Sequence, residues 1–167
     1  MRDVGNLKIT EAGDRAIVMT RVCEAPRRLV FEAFTKPELL KRWFGPRGWH
    51  LEICEVDLRV GGGFRFLLHG PNGVQLGMRG IYRELAAPER SVHLESFDDY
   101  PGESVVTGEF SEQDGQTTLE VTVAYSSREA RDAVLRSSME RGAAECYDKL
   151  AELLHTMLTG QIPLCAV

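Results

Sequence analysis

The last third of the sequence carries a helical stripe longer than any other in the chain. Leu135, Met139, Ala143, Cys146, Tyr147, Leu150, Leu153, Leu154 and Met157 recur in steps of three and four, which puts them on one face of a helix. Ser126 or Ser127 is the expected N-cap, with Glu129 in the first turn. The helix is expected to run to about Leu158 and to stop at Gly160. A stripe of this length needs a concave partner to bury it.

The residues before it supply that partner. Residues 15–23 alternate Ile17, Met19 and Arg21 against Val18, Thr20 and Val22, a β-branched pattern that reads as a strand. Ala25-Pro26 stops it, and Pro26 suits a first helical turn. Leu29, Val30, Ala33 and Phe34 then recur at helical spacing. Thr35 is the expected N-cap of a second short helix, with Pro37 just inside and Glu38 three residues on. Leu39, Leu40, Trp43 and Phe44 share a face there, and Gly45-Pro46 ends it.

Six further strands follow, at 51–58, 64–68, 74–85, 91–97, 103–111 and 117–125. Gly61-Gly62-Gly63 marks a bulge or sharp corner, Pro71-Asn72-Gly73 a hairpin turn, and Asp98 to Gly102 a polar loop. A meander with glycine corners curls around whatever packs in its concave face. The expected class is α+β: a curved antiparallel sheet of about seven strands wrapped around the C-terminal helix, with two short helices after the first strand. One domain is expected at 14–159, with an arm at 1–13 and a tail at 160–167 that contains Pro163.

Composition narrows the function. The chain has 167 residues, 20 Lys and Arg against 25 Asp and Glu, and a net charge of −5. That balance argues against nucleic acid as the main partner. No run approaches the ~20 apolar residues of a membrane span, and the N-terminus carries no apolar stretch, so a cytoplasmic protein without membrane insertion is expected. Cys23, Cys54, Cys146 and Cys165 form no CxxC and read as reduced thiols, three of them core fillers and Cys165 exposed in the tail. His50, His69, His93 and His155 show no metal-type spacing. No GxSxG elbow occurs, and the triple glycine lacks the Lys-Ser/Thr of a phosphate loop. No cofactor is expected.

The order of elements resembles the helix-grip, START-like superfamily, also called SRPBCC. The local motifs are similar to its branch named after the activator of heat-shock protein 90 ATPase. The matching residues are Ala25 to Thr35, Leu39 to Pro46, Asp57 to Gly62, His69 to Gly73, Gly80 to Glu84, Pro88 to Arg90, and Met139 to Gly142 at the opening of the last helix. The match runs from about residue 15 to 158. The resemblance implies an apolar or amphipathic ligand held between sheet and long helix. It also implies two alternatives: a chaperone-regulatory or stress-response protein, or a cavity enzyme (hydrolase, cyclase or lyase) using an inward Asp, Glu or His. Co-chaperone relatives carry this kind of domain beside a second, N-terminal one, for which this chain is expected to leave no room. Relatives often place a large aromatic just after the helix glycine, where this chain has Gly142-Ala143-Ala144. Loss of that ring implies a cavity near Ala143.

The expected ligand wall is Trp43, Phe44, Phe64, Phe66, Met78, Tyr82, Met139, Ala143 and Tyr147, with an inward Arg79–Glu95 pair as its polar contacts. Asp57, Arg59 and His93 are further polar candidates. Each has a plainer reading. Trp43 and Phe44 can plug the open end of the sheet, and Phe64 and Phe66 can be ordinary core. Arg79 and Glu95 can be solvent-facing, since surface ion pairs are common. The expected partner is a hydrophobic small molecule or lipid, with a chaperone as the second candidate. The chain is expected to be a monomer or a homodimer formed through an edge strand.

Overall fold

A computed structural model describes residues 2–160. The elements run β1 (Arg2–Val4), β2 (Leu7–Ala12), β3 (Ala16–Cys23), α1 (Arg27–Thr35), α2 (Pro37–Trp43), β4 (His50–Val56), β5 (Gly63–His69), β6 (Gln75–Ala86), β7 (Arg90–Phe97), β8 (Tyr100–Gln113), β9 (Gln116–Ala124), α3 (Arg128–Arg136) and α4 (Met139–Leu158). All nine strands form one antiparallel sheet in the order β1-β2-β3-β9-β8-β7-β6-β5-β4. The helices lie on its concave face. The α+β helix-grip architecture expected from the sequence is therefore the one observed.

Four local expectations are corrected. The sheet has nine strands rather than about seven, because the expected arm contributes a hairpin. Leu7 and Ile9 there are each 1% exposed and alternate with Lys8 and Thr10, so one face of β2 is core. The cap of α2 is Lys36, not Thr35. Thr35 closes α1, where its hydroxyl donates to Phe31 O at 2.9 Å. The strand β8 starts at Tyr100, inside the expected loop at Asp98 to Gly102.

The last correction concerns the C-terminal helix, which is two helices. Ser137 leaves helical geometry at ψ 177°, and its hydroxyl donates to Val134 O at 2.6 Å. A serine side chain that competes for a backbone carbonyl favours a break, and Ser138 follows it. Ser127 caps α3 as one of the two expected residues, accepting from Ala130 N at 3.0 Å. Ser127→Ala is expected to cost about 1 kcal/mol of stability in urea unfolding, with Ser127→Asp close to native. Equal losses in the two variants would contradict the cap.

The expected turns hold. At Gly62 a Cβ would stand 2.3 Å from Asp57 O, and at Gly63 one would stand 2.5 Å from Gly80 O. The corner between β4 and β5 therefore has room for hydrogen alone at both positions. The expectations at 161–167, including Pro163 and the exposed Cys165, lie outside the described residues.

The core is densest where α1 and α2 meet the sheet. Leu29, Val30, Leu39, Leu40, Trp43, Leu119 and Leu150 are all at most 2% exposed. The helix α4 packs against α1, α2, α3, β1 and β2. Its position is fixed by polar ties at both flanks. Arg21, buried on the concave side of β3, donates to Asp148 Oδ1 at 2.8 Å. Lys149 Nζ donates to Gly45 O at 3.0 Å, and Arg47 N donates to Glu145 Oε2 at 3.1 Å. The helix thus lies toward the β1–β3 side, and the inner faces of β6, β7 and β8 stand across from it.

Candidate functional site

Strand alternation decides which side chains face that space. Phe64, Phe66 and Leu68 of β5 are 3–6% exposed and point inward, as expected. Across the ladder Phe66 meets Met78, and Phe64 meets Gly80. Met78 meets Phe97, Gly80 meets Glu95, and Tyr82 meets His93. His93 meets Val106, and Glu95 meets Ser104. Val106 meets Val123, and Tyr125 continues the inward set two residues on.

The polar centre of this face is His93 and Glu95. Their side chains are 18% and 17% exposed, and His93 Nε2 lies 3.2 Å from Glu95 Oε1. An imidazole nitrogen that close to a carboxylate carries the proton, so His93 Nε2 donates. The Phe64 ring and the imidazole are perpendicular, at 5.0 Å between centroids and 90° between planes. Glu95 stands between Gly80 and Ser104 on the neighbouring strands, so neither neighbour crowds the carboxylate. A Cβ on Gly80 would come within 2.2 Å of Phe64 Cε1. The absence of a side chain there lets the Phe64 ring lie beside Glu95.

Three tyrosines surround the pair. Burial pushes Tyr82 up to about 12, and burial followed by the Glu95 charge pushes Tyr125 up to about 12. Tyr147 is raised further, by burial first, then by Cys146, Cys23 and Glu95, against a lowering by Arg21. Its ring stacks on Trp43 at 6.3 Å and 27°. Among the described residues, Glu32 Oε2 is the one sealed side-chain polar atom without a hydrogen bond. The three phenol oxygens make no hydrogen bond to a described residue, and none of them is a sealed polar atom. Val106, Val123 and Ala144 keep 8% of their surface and Tyr147 keeps 7%, whereas the α1–α2 side is closed to 0–2% at its centre.

These acids give a pH dependence. Burial raises Cys23, Cys54 and Cys146 from 9.0 to about 11, and Tyr82 and Tyr125 rise from 10.0 to about 12. The fold favours the protonated form in each case, so the unfolded chain loses its protons first as pH rises. Their stabilisation is complete below about pH 9 and is lost between about pH 9 and 12. The melting temperature is expected to fall steadily over that window. A flat profile there would contradict the assignment.

The expected residues divide as follows. Phe64, Phe66, Met78, Tyr82, Glu95 and Tyr147 lie on or against the concave face. Trp43 is 2% exposed, with its indole N–H donating to Ala33 O at 2.9 Å, so it is core behind Tyr147. Phe44 is half-buried between Trp43 and Phe66. Met139 and Ala143 are half-buried at the start of α4. A Cβ on Gly142 would meet Pro46 Cγ at 3.3 Å, so that glycine lets the loop after α2 cross the helix.

Arg79 is the correction. Met78 and Tyr82 point inward, which sends Arg79 to the convex face. There it donates to Asp98 Oδ1 at 2.7 Å, beside the two-pronged contact from Arg65 at 3.0 and 2.6 Å. Hydrogen bonding from Arg65 leads in holding the Asp98 carboxyl below its usual range. The inward partner of Glu95 is His93. Asp57 and Arg59 pair with each other at 2.9 Å in the exposed β4–β5 turn. Tyr125 was not among the expected site residues, although the alternation of Leu119, Val121 and Val123 points to it. Two surface depressions lie elsewhere. One of about 670 Å³ is bordered by Lys8, Arg21, Val22, Ala151, His155 and Leu158. The other, of about 450 Å³, is bordered by Arg79, Phe97, Asp98, Tyr100, Gly102 and Ser126. Neither borders Ala143.

Comparison with known proteins agrees with the architecture. A protein from Rhodobacter sphaeroides is 31% identical, with 90% of this chain and 99% of that one covered and a TM-score of 0.84. A protein from Chromobacterium violaceum is 27% identical over 84% of this chain and 96% of its own, with a TM-score of 0.73. One from Nitrosomonas europaea, at 23% identity, 89% and 99% coverage and a TM-score of 0.80, shares the fold. No curated protein matches the sequence. The family model described as "Activator of Hsp90 ATPase homolog 1-like protein" matches residues 24–155. The chain therefore belongs to the Activator of Hsp90 ATPase homolog 1-like family, within the SRPBCC superfamily.

Proposed function

We propose that the protein binds a hydrophobic or amphipathic small molecule between the inner faces of β6–β9 and α4. The observation that carries this reading is the set of unpartnered polar atoms on an otherwise apolar wall. Three phenol oxygens and the second oxygen of Glu95 lack a hydrogen bond from any described residue. Polar atoms that are not sealed and have no protein partner are free to take their hydrogen bonds from water or from a bound molecule. An apolar surface with a few convergent polar groups is the usual form of a small-molecule site.

Titration with the neutral probe N-phenyl-1-naphthylamine tests it. Saturable one-to-one fluorescence enhancement is expected, with a rise in melting temperature that grows with probe concentration. No saturable binding and no thermal shift would contradict the reading. The His93–Glu95 pair favours a second reading, in which the bound molecule is also a substrate, because an imidazole held on a carboxylate is a proton-transfer unit. Consumption of a bound ligand by the native chain but not by a His93→Ala chain would support it.

A further inference from the structure

The charges on the concave face are few and unevenly matched. Arg21 is engaged by Asp148 at 2.8 Å. On β5–β9 the inward positions are aromatic, aliphatic or small, with Glu95 the one carboxylate among the described residues. No arginine or lysine of the described residues pairs with it, and its one side-chain partner is His93. The pairing uses Oε1 and leaves Oε2 without a hydrogen bond from a described residue, with the Phe64 ring covering Gly80 on the adjoining strand.

Around that carboxylate stand π surfaces. Phe64 lies against His93, Tyr82 is 5.9 Å from Phe64, and the Glu95 charge reaches Tyr125 and Tyr147. A partly desolvated carboxylate flanked by aromatic rings attracts an organic cation through charge and through the ring quadrupoles. The same arrangement repels a carboxylate-headed molecule, because two like charges would share a site of low dielectric. A neutral head gains a hydrogen bond alone.

Resting on the ligand-binding reading above, we infer that the site selects hydrophobic amines over carboxylic acids of the same shape, with Glu95 as the specificity-determining residue. The amine would place its N–H groups on Glu95 Oε2 and its ring against Phe64 and the tyrosines. Fatty acids and other anionic amphiphiles are excluded by the same carboxylate.

Three ligands of one shape separate these outcomes: 1-naphthylmethylamine, 1-naphthylmethanol and 1-naphthoic acid, each used to displace N-phenyl-1-naphthylamine at pH 7.5. The amine is expected to bind at least about tenfold more tightly than the acid, with the alcohol between them. In Glu95→Gln, which keeps the side-chain size and an acceptor for His93, the amine-to-acid ratio is expected to collapse to within about twofold. Binding of the acid as tight as that of the amine in the native chain would overturn the inference while leaving the site intact. An unchanged ratio in Glu95→Gln, with circular dichroism confirming the fold, would also overturn it. Failure of all three ligands and of the neutral probe would overturn the ligand-binding reading itself, and this inference with it.

Discussion

Trp43→Ala will lower the unfolding free energy by about 3–5 kcal/mol, the range for emptying a large buried aromatic site. Trp43 is 2% exposed and contacts three rings, with Phe34 at 4.7 Å, Phe44 at 5.6 Å and Tyr147 at 6.3 Å. It joins α2 to α1 through its hydrogen bond to Ala33 O, and to α4 through Tyr147. The truncation therefore leaves a cavity bounded by three helices and an unpaired acceptor, Ala33 O. Trp43→Phe separates the two terms. It keeps most of the ring volume and loses the hydrogen bond, so about 1–2 kcal/mol is expected. Urea unfolding monitored by far-UV circular dichroism measures both. A loss below about 1 kcal/mol for Trp43→Ala would place the ring outside the core.

Gly80→Val will destabilise the chain by about 1–3 kcal/mol through overpacking. A Cβ at that position would come 2.2 Å from Phe64 Cε1, 2.4 Å from Phe64 Cζ and 2.6 Å from Leu94 O. The ring can rotate, but Phe66 at 4.6 Å and His93 at 5.0 Å limit where it can go. The Leu94 carbonyl is backbone and yields only if the ladder between β6 and β7 shifts. A displaced Phe64 ring would also occupy the space beside Glu95, so probe binding should weaken at the same time. The melting temperature is expected to drop by roughly 2–4 °C per kcal/mol for a chain of this size. Native stability and native probe binding in Gly80→Val would show that the glycine has no packing role.

The architecture was legible because the two hydrophobic periods are strong. Leu119, Val121 and Val123 alternate cleanly, and Leu150, Leu153, Leu154 and Met157 step by three and four. Residues in those patterns are core in the structure. The turns were legible because Gly61 to Gly63 and Pro71 to Gly73 are chemically restrictive. The sheet edge was harder to see, because β1 and β2 are short and the burial of Leu7 and Ile9 depends on pairing with β3, which local sequence does not encode. The break at Ser137 was masked by the stripe, which continues in phase from Leu135 to Met139 across it.

The site was legible in part for a physical reason. Face assignment depends on register, and a shift of one residue reverses it. The inward Phe64, Phe66 and Tyr82 follow from hydrophobicity alone. Arg79 and Glu95 do not, because a charged residue is found on the solvent face unless the ladder forces it inward. Pairing of Gly80 with Glu95, rather than of Arg79 with Glu95, separates the two residues onto opposite faces. The bulge between Tyr82 and Glu84 then shifts the register along the rest of β6, which the sequence does not announce.

Methyl NMR during ligand titration tests the concave-face site most directly, because neighbouring strand residues report on opposite faces. Val106 and Val123 are inward, whereas Val105 is 40% and Ile81 49% exposed on the convex side. On addition of N-phenyl-1-naphthylamine, the methyl signals of Val106 and Val123 are expected to shift and saturate together, with those of Val105 and Ile81 unmoved. Shifts confined to Val105 and Ile81, or none at all at saturating probe, would contradict a ligand site between the sheet and α4.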